Sequence, residues 1–178
     1  MLIGLVGEKF AGKDAAANYL VKQYGAEHLR FSHILDEILN ILNLPVSRRN
    51  EIDLGLGLRK IFGGSVLGPA LLRRAAKSTA GMVVINGIRM DESEPVKKAG
   101  AKIIYITAPI ELRFQRYQQR HEKTDDGVMS FNQFINQEQE LTEIGIPDLG
   151  KQADFKIDNI GSLEELYKKI DGVVNKLE

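Results

Sequence analysis

Gly7-Glu8-Lys9-Phe10-Ala11-Gly12-Lys13-Asp14 follows a short apolar run, Leu2–Val6, and leads into residues 12–24, whose spacing is helical and which Gly25 stops. The octapeptide matches G-x-x-x-x-G-K and lies where that motif works, between a strand and a helix. Glycines let the backbone curl so that successive N–H groups point at a phosphate. The helix N-terminus adds partial positive charge, and Lys13 reaches the terminal phosphates. Gly7, Lys9, Ala11, Gly12, Lys13, Asp14 and Ala15 are therefore candidate ligands of a nucleotide's phosphates. The last motif position departs from the pattern, because Asp14 stands where Ser or Thr normally supplies a hydroxyl to magnesium. A carboxylate there either holds the ion, directly or through one of its waters, or compensates the first-turn helix dipole.

Outward from this turn, further apolar runs at residues 26–31, 82–85, 102–106 and 153–157 alternate with segments of helical length. Five such strands predict an α/β fold, a mostly parallel sheet covered on both faces. The third run ends in Asn86-Gly87-Ile88-Arg89, at the carboxyl edge where open α/β sheets place ligands. Asn86 can orient a water through its carbonyl but cannot neutralise a cation, so Asp14 and Asn86 together are the candidate magnesium ligands. Ser130 with Gln133 and Ser162 with Glu165 mark two late helix starts as capping boxes. Behind them Phe131, Phe134, Ile135 and Leu141, then Leu163, Leu166, Tyr167, Ile170 and Val174, recur as core stripes.

Residues 32–80 interrupt the alternation: about fifty residues separate the second and third strands, with five glycines among residues 55–68. Long excursions from an α/β sheet tend to carry function, which makes this the candidate substrate-handling insertion. After the fourth strand, Arg113, Arg116 and Arg120 fall at i, i+3 and i+7, on one side of a helix, with Ile110, Phe114 and Tyr117 on a separate stripe. One stripe can pack while the other faces a ligand.

The chain has 178 residues, 24 Lys plus Arg against 24 Asp plus Glu, three His and no Cys or Trp. That length suits one domain. Zero net charge gives no broad attraction to nucleic acids or anionic membranes, and the absence of Cys removes thiolate nucleophiles and Cys-ligated metals. No apolar run approaches the roughly 20 residues that span a bilayer. A cytoplasmic, small-molecule enzyme, monomeric or homodimeric, with no nucleic-acid or membrane partner is the expectation.

Taken together, the opening with GKD, RFSHILDEIL (30–39), LGLGLRKIFGGSVLGPALLRR (54–74) and VVINGIR (83–89) resemble the deoxynucleoside monophosphate kinases. Those are small P-loop kinases of the nucleoside monophosphate kinase fold. The rear segments IIYITAPIELRFQRYQQR (103–120) and ADFKIDNIGSLEEL (153–166) are similar as much to dephospho-CoA kinases and archaeal adenylate-kinase-related proteins. The resemblance implies a three-layer P-loop NTPase fold in a single domain, with core 1–31, 81–112 and 150–178, substrate-binding insertion 32–80 and lid region 113–149. It implies transfer of the γ-phosphoryl group of ATP, with Mg2+, to a nucleoside monophosphate. Arg89 would grip the acceptor's phosphate, with Arg59 and Ser32 beside it. Arg116 and Arg120 would cover the transferring group, and Asn159 would lie by the donor base. His33 stands where those kinases commonly have an acidic residue. Two alternatives stay open: dephospho-CoA as acceptor, whose hydroxyl needs a base such as Asp36, and a nucleotide-driven switch or assembly factor.

Overall fold

The computed structural model describes residues 1–119, 129–140 and 143–177. Five strands form one wholly parallel sheet in the order β2-β3-β1-β4-β5: β1 Leu2–Val6, β2 Glu27–Arg30, β3 Val83–Asn86, β4 Lys102–Thr107 and β5 Phe155–Asp158. The inner strands read as unbroken apolar runs because both faces are covered. Ile3, Leu5, Val84, Ile104 and Ile106 pack beneath α1 (Lys13–Tyr24) and α9 (Leu163–Val174). On the opposite face Leu29, Ile85, Ile103 and Tyr105 pack with four other helices: α2 (Phe31–Ile41), α4 (Leu67–Ala75), α5 (Met90–Lys98) and α8 (Ile146–Lys151). The expected three layers are present, with all five strands within a residue or two of their expected limits.

The connections leaving β1 and β3 run to opposite sides of the sheet's centre, which opens a crevice at their carboxyl ends. Residues 32–80 fill the space above that crevice with α2, α3 (Arg48–Phe62) and α4. The glycine-rich part of this stretch forms a helix of 15 residues, although Gly55 and Gly57 lie inside it. Ser47 caps it by accepting from the Asn50 amide. A Cβ on Gly55 would sit 3.4 Å from Leu35 on α2, an ordinary contact, and 3.0 Å from the Arg59 guanidinium.

Beyond β4 come α6 (Ile110–Gln119) and α7 (Phe131–Gln137). Both capping boxes, at Ser130 and Ser162, are formed. The stripes behind them bury Phe134, Leu166, Ile170 and Val174, whereas Leu163 is exposed and Leu141 lies outside the described residues. No helix among the described residues is long and apolar enough to cross a membrane.

Candidate functional site

The turn between β1 and α1 is shaped by its neighbours as much as by its own residues. A Cβ on Gly7 would meet the Ile106 carbonyl oxygen at 2.0 Å, and one on Gly12 would meet Asn159 Nδ2 at 2.3 Å. Gly12 also adopts φ 108°, which a side chain disfavours. At the loop's apex Phe10 holds φ 62°, and its ring is anchored edge-on against Tyr117 of α6, centroids 5.2 Å apart, and against Phe134 of α7 at 5.8 Å. Aromatic packing onto these two helices thus sustains a left-handed residue that would otherwise relax.

Lys13 Nζ donates to the carbonyls of Gly7 and Glu8 at 2.8 and 2.7 Å. Burial, reinforced by the Arg89 guanidinium, brings its pKa down to about 8. Asp14 Oδ1 accepts from Asn86 Nδ2 at 2.8 Å, while Asn86 Oδ1 is buried with no hydrogen-bond partner among the described residues. The two candidate metal ligands therefore meet. The loop cradle and the orphaned carbonyl oxygen of Asn86 fit a magnesium-bound phosphate chain, which would supply the missing partners.

Arg116 and Asn159 converge on the back of the loop. Asn159 Nδ2 donates to the Ala11 carbonyl at 2.9 Å, and Arg116 Nη2 donates to the Asn159 carbonyl at 2.9 Å, with Nη1 at 3.5 Å from the carbonyls of Phe10 and Ala11. Arg113, on the same helix side in the sequence, is buried instead. Its guanidinium donates to the Ala108 carbonyl and is paired with Glu138. The arginine stripe is thus divided between a structural clamp and the loop. Arg120 lies outside the described residues.

A cavity of about 370 Å³ opens in front of the loop, at the carboxyl ends of β1, β2 and β3. Its walls include Lys9, Lys13 and Asp14 from the loop, Asn86 and Arg89 after β3, and Arg30 and Ser32 after β2. The insertion adds Asp36 from α2 and Arg48, Glu51 and Arg59 from α3. Lys13, Asp14, Asn86, Ser32, Arg59 and Arg89 are thereby brought to one cavity, while Ala11, Ala15, Arg116 and Asn159 lie outside its lining. Lys9 turns away from the loop, donating to Glu140 at 2.8 Å. Arg89 Nη2 donates to Glu143 at 2.8 Å, with Nη1 buried and unpartnered among the described residues.

Two partners of the expected arginines escaped sequence reasoning. Glu143 lies 54 residues beyond Arg89, and no local pattern links them. Glu92 pairs with Arg59 across 33 residues; its one local signal was its place three residues after Arg89, the capping position of α5. Near the cavity, His28 on β2 is held down at about 4 by burial and by Arg30, so its ring is neutral at pH 7.

No protein-family profile matches the chain. Its sequence is 27% identical over 182 residues to a UPF0200/UPF0201 protein of Archaeoglobus fulgidus, covering 99% of this chain and 55% of that protein. UPF0200 proteins of Saccharolobus islandicus and Saccharolobus solfataricus are 26% identical over 180 residues, covering 99% of this chain and 93% of theirs. The chain thus spans about half the length of the Archaeoglobus protein.

Among solved structures, TT1252 from Thermus thermophilus superimposes with a TM-score of 0.67 at 19% identity, covering 100% of this chain and 98% of that one. Shikimate kinase from Acinetobacter baumannii, in complex with shikimate, gives 0.61 at 20% identity over 99% and 94%. The enzyme from Bacteroides thetaiotaomicron gives 0.68 at 12% over 98% of each. At these identities the likeness establishes architecture, and that architecture, with its glycine-lysine turn after β1, is the fold of the P-loop kinases.

Proposed function

We propose that the protein is an ATP-dependent kinase that transfers the γ-phosphoryl group to a phosphate oxygen of a nucleoside or deoxynucleoside monophosphate. The observation that carries this reading is one cavity lined both by Lys13 and Asp14, at the end of the phosphate loop, and by Arg89 and Arg59. A donor site alone does not need guanidinium groups from the far side, whereas an anionic acceptor does, because planar two-pronged donors fix a phosphate's charge and orientation together.

In the transfer an acceptor oxygen attacks the γ-phosphorus and the bond to the β-bridging oxygen breaks, giving ADP and a nucleoside diphosphate. Little covalent chemistry is asked of the protein; alignment and charge stabilisation do most of the work. Lys13 and the loop amides hold the donor's phosphates, and Arg89 with Arg59 and Ser32 holds the acceptor. Arg116 and Asn159 stiffen the loop from behind. Asp14 and Asn86 would hold magnesium, which would neutralise charge at the donor's oxygens. Arg120 is proposed to act over the transferring group.

One observation favours a second reading. Asp36 lines the same cavity, where a carboxylate can take a proton from an acceptor hydroxyl. That would suit dephospho-CoA, or a small polyol such as the shikimate bound in the similar Acinetobacter structure. ADP formation from ATP and Mg2+, measured with and without ribo- and deoxynucleoside monophosphates, dephospho-CoA and shikimate, separates the readings. Stimulation by a monophosphate is expected. Stimulation only by a hydroxyl acceptor moves the assignment to the second reading, and hydrolysis indifferent to every small acceptor points to a switch.

A further inference from the structure

Glu92 is a fully buried carboxylate, 0% exposed, in the first turn of α5. Its two oxygens are used differently. Oε1 accepts from Arg59 Nε at 3.1 Å and from Arg59 Nη2 at 2.5 Å. Oε2 accepts from the backbone amide of Arg89 at 3.1 Å. One side chain therefore ties an arginine of the insertion helix α3 to the main chain of the arginine that ends the β3 turn. Both arginines line the cavity.

A cap alone would not need this arrangement. Glu92 as a helix cap requires Oε2 and the Arg89 amide, and an exposed carboxylate would serve. Burying a charge is costly unless it is paired, so the pairing with Arg59 must hold wherever the carboxylate is fully dry. The consequence is a link between the Arg59 guanidinium, carried by the insertion, and the main chain of Arg89, which follows β3. The Arg59 guanidinium also passes close to Gly55 on its own helix, with Nη1 3.0 Å from where a Cβ would stand.

We propose that Glu92 is a positioning residue that sets Arg59 and Arg89 as one acceptor-phosphate clamp; this rests on the kinase reading above. Glu92 does not touch the acceptor. It acts through Arg59, which without it loses its two-nitrogen anchor and its tie to the Arg89 main chain.

The test measures KM for the acceptor, KM for ATP and kcat in wild type and in E92Q, an isosteric change that keeps an oxygen for the Arg89 amide but removes the charge that orders Arg59. The acceptor is whichever monophosphate wild type phosphorylates. Acceptor KM should rise by about tenfold or more, the weight of one charge-assisted hydrogen bond. ATP KM should stay within about twofold, the pattern of lost acceptor binding. In an R59Q background, E92Q should add less than about twofold to acceptor KM, because coupled residues fail to add.

Where E92Q does not fold, E92D carries the test with a smaller rise in the same parameter, since it keeps the charge and shortens the reach. Unchanged acceptor KM, or an equal rise in KM for both substrates, overturns the inference while leaving the kinase reading standing. Wild-type protein that phosphorylates no monophosphate overturns the kinase reading and the clamp with it.

Discussion

The proposed donor end and the proposed acceptor end of the cavity are built by different means. The candidate donor groups centre on the consecutive residues 7–15, a turn whose path follows from where glycine stands. Gly7 and Gly12 abut Ile106 and Asn159 so closely that no other residue fits, so the geometry there is dictated by local chain and sheet together. Acceptor groups come from β2, α2, α3, the β3 turn and the segment holding Glu143, and they are side chains held by other side chains. Arg59 depends on Glu92, and Arg89 on Glu143. A proposed donor cradle shaped by the chain's own turn thus faces a proposed acceptor wall whose arginines are set by ion pairs from other elements.

The sharpest way to break this comparison is at the donor end. Lys13→Met should lower phosphoryl transfer on the order of 10³-fold, the loss typical of a removed transition-state donor, with acceptor KM little changed. The same lysine gives the donor end a pH signature. Because burial and Arg89 hold its pKa down to about 8, it loses its charge as pH rises through that value, well below the ordinary 10.5. ATP affinity should therefore fall above pH 8 in wild type, as titration calorimetry would show, and Lys13→Met should abolish that dependence. A loss that begins only near 10.5 would contradict it.

A smaller effect sharpens the comparison at the loop's floor. Asn86→Asp places a second carboxylate where Nδ2 now donates to Asp14 at 2.8 Å. Stability without metal should fall by about 2 kcal/mol, since a buried group loses its partner and gains a like charge. Magnesium should then raise the melting temperature more in the variant than in wild type. An equal response in both proteins would remove Asp14 and Asn86 from the metal's surroundings.

The mildest expected effect concerns the strand beneath the acceptor wall. Unfolded His28 protonates near 6.5, whereas burial and Arg30 hold the folded ring down to about 4. Between those values the unfolded chain binds more protons, so stability falls as pH drops across the interval and is fully retained above it. Screening of the partly buried ring keeps the change on the order of 1 kcal/mol. Denaturant midpoints at pH 7 and pH 5 should converge in His28→Gln relative to wild type.

These differences also explain what the amino-acid sequence disclosed. The strands, the phosphate turn and both serine capping boxes rest on residues close in the chain, and each was legible from spacing alone. The packing of α3 was not legible in this way, because Leu35, which would lie 3.4 Å from a Cβ on Gly55, belongs to another helix. Arg113 and Arg116 share a helix side, yet Glu138 captures one while the carbonyls of the loop and of Asn159 take the other. Nothing in the helical period distinguishes them, since the partners sit on other elements. Glu92 and Glu143 were missed for the same reason.

The γ-phosphoryl group of ATP is proposed to pass to an anionic small-molecule acceptor. Following that phosphorus by 31P NMR, with ATP, Mg2+ and a mixture of nucleoside monophosphates, tests it most directly. The account predicts that it reappears as the terminal phosphate of a nucleoside diphosphate, in amounts equal to the ADP formed. Its appearance solely as inorganic phosphate, at a rate unaffected by the monophosphates, would contradict it.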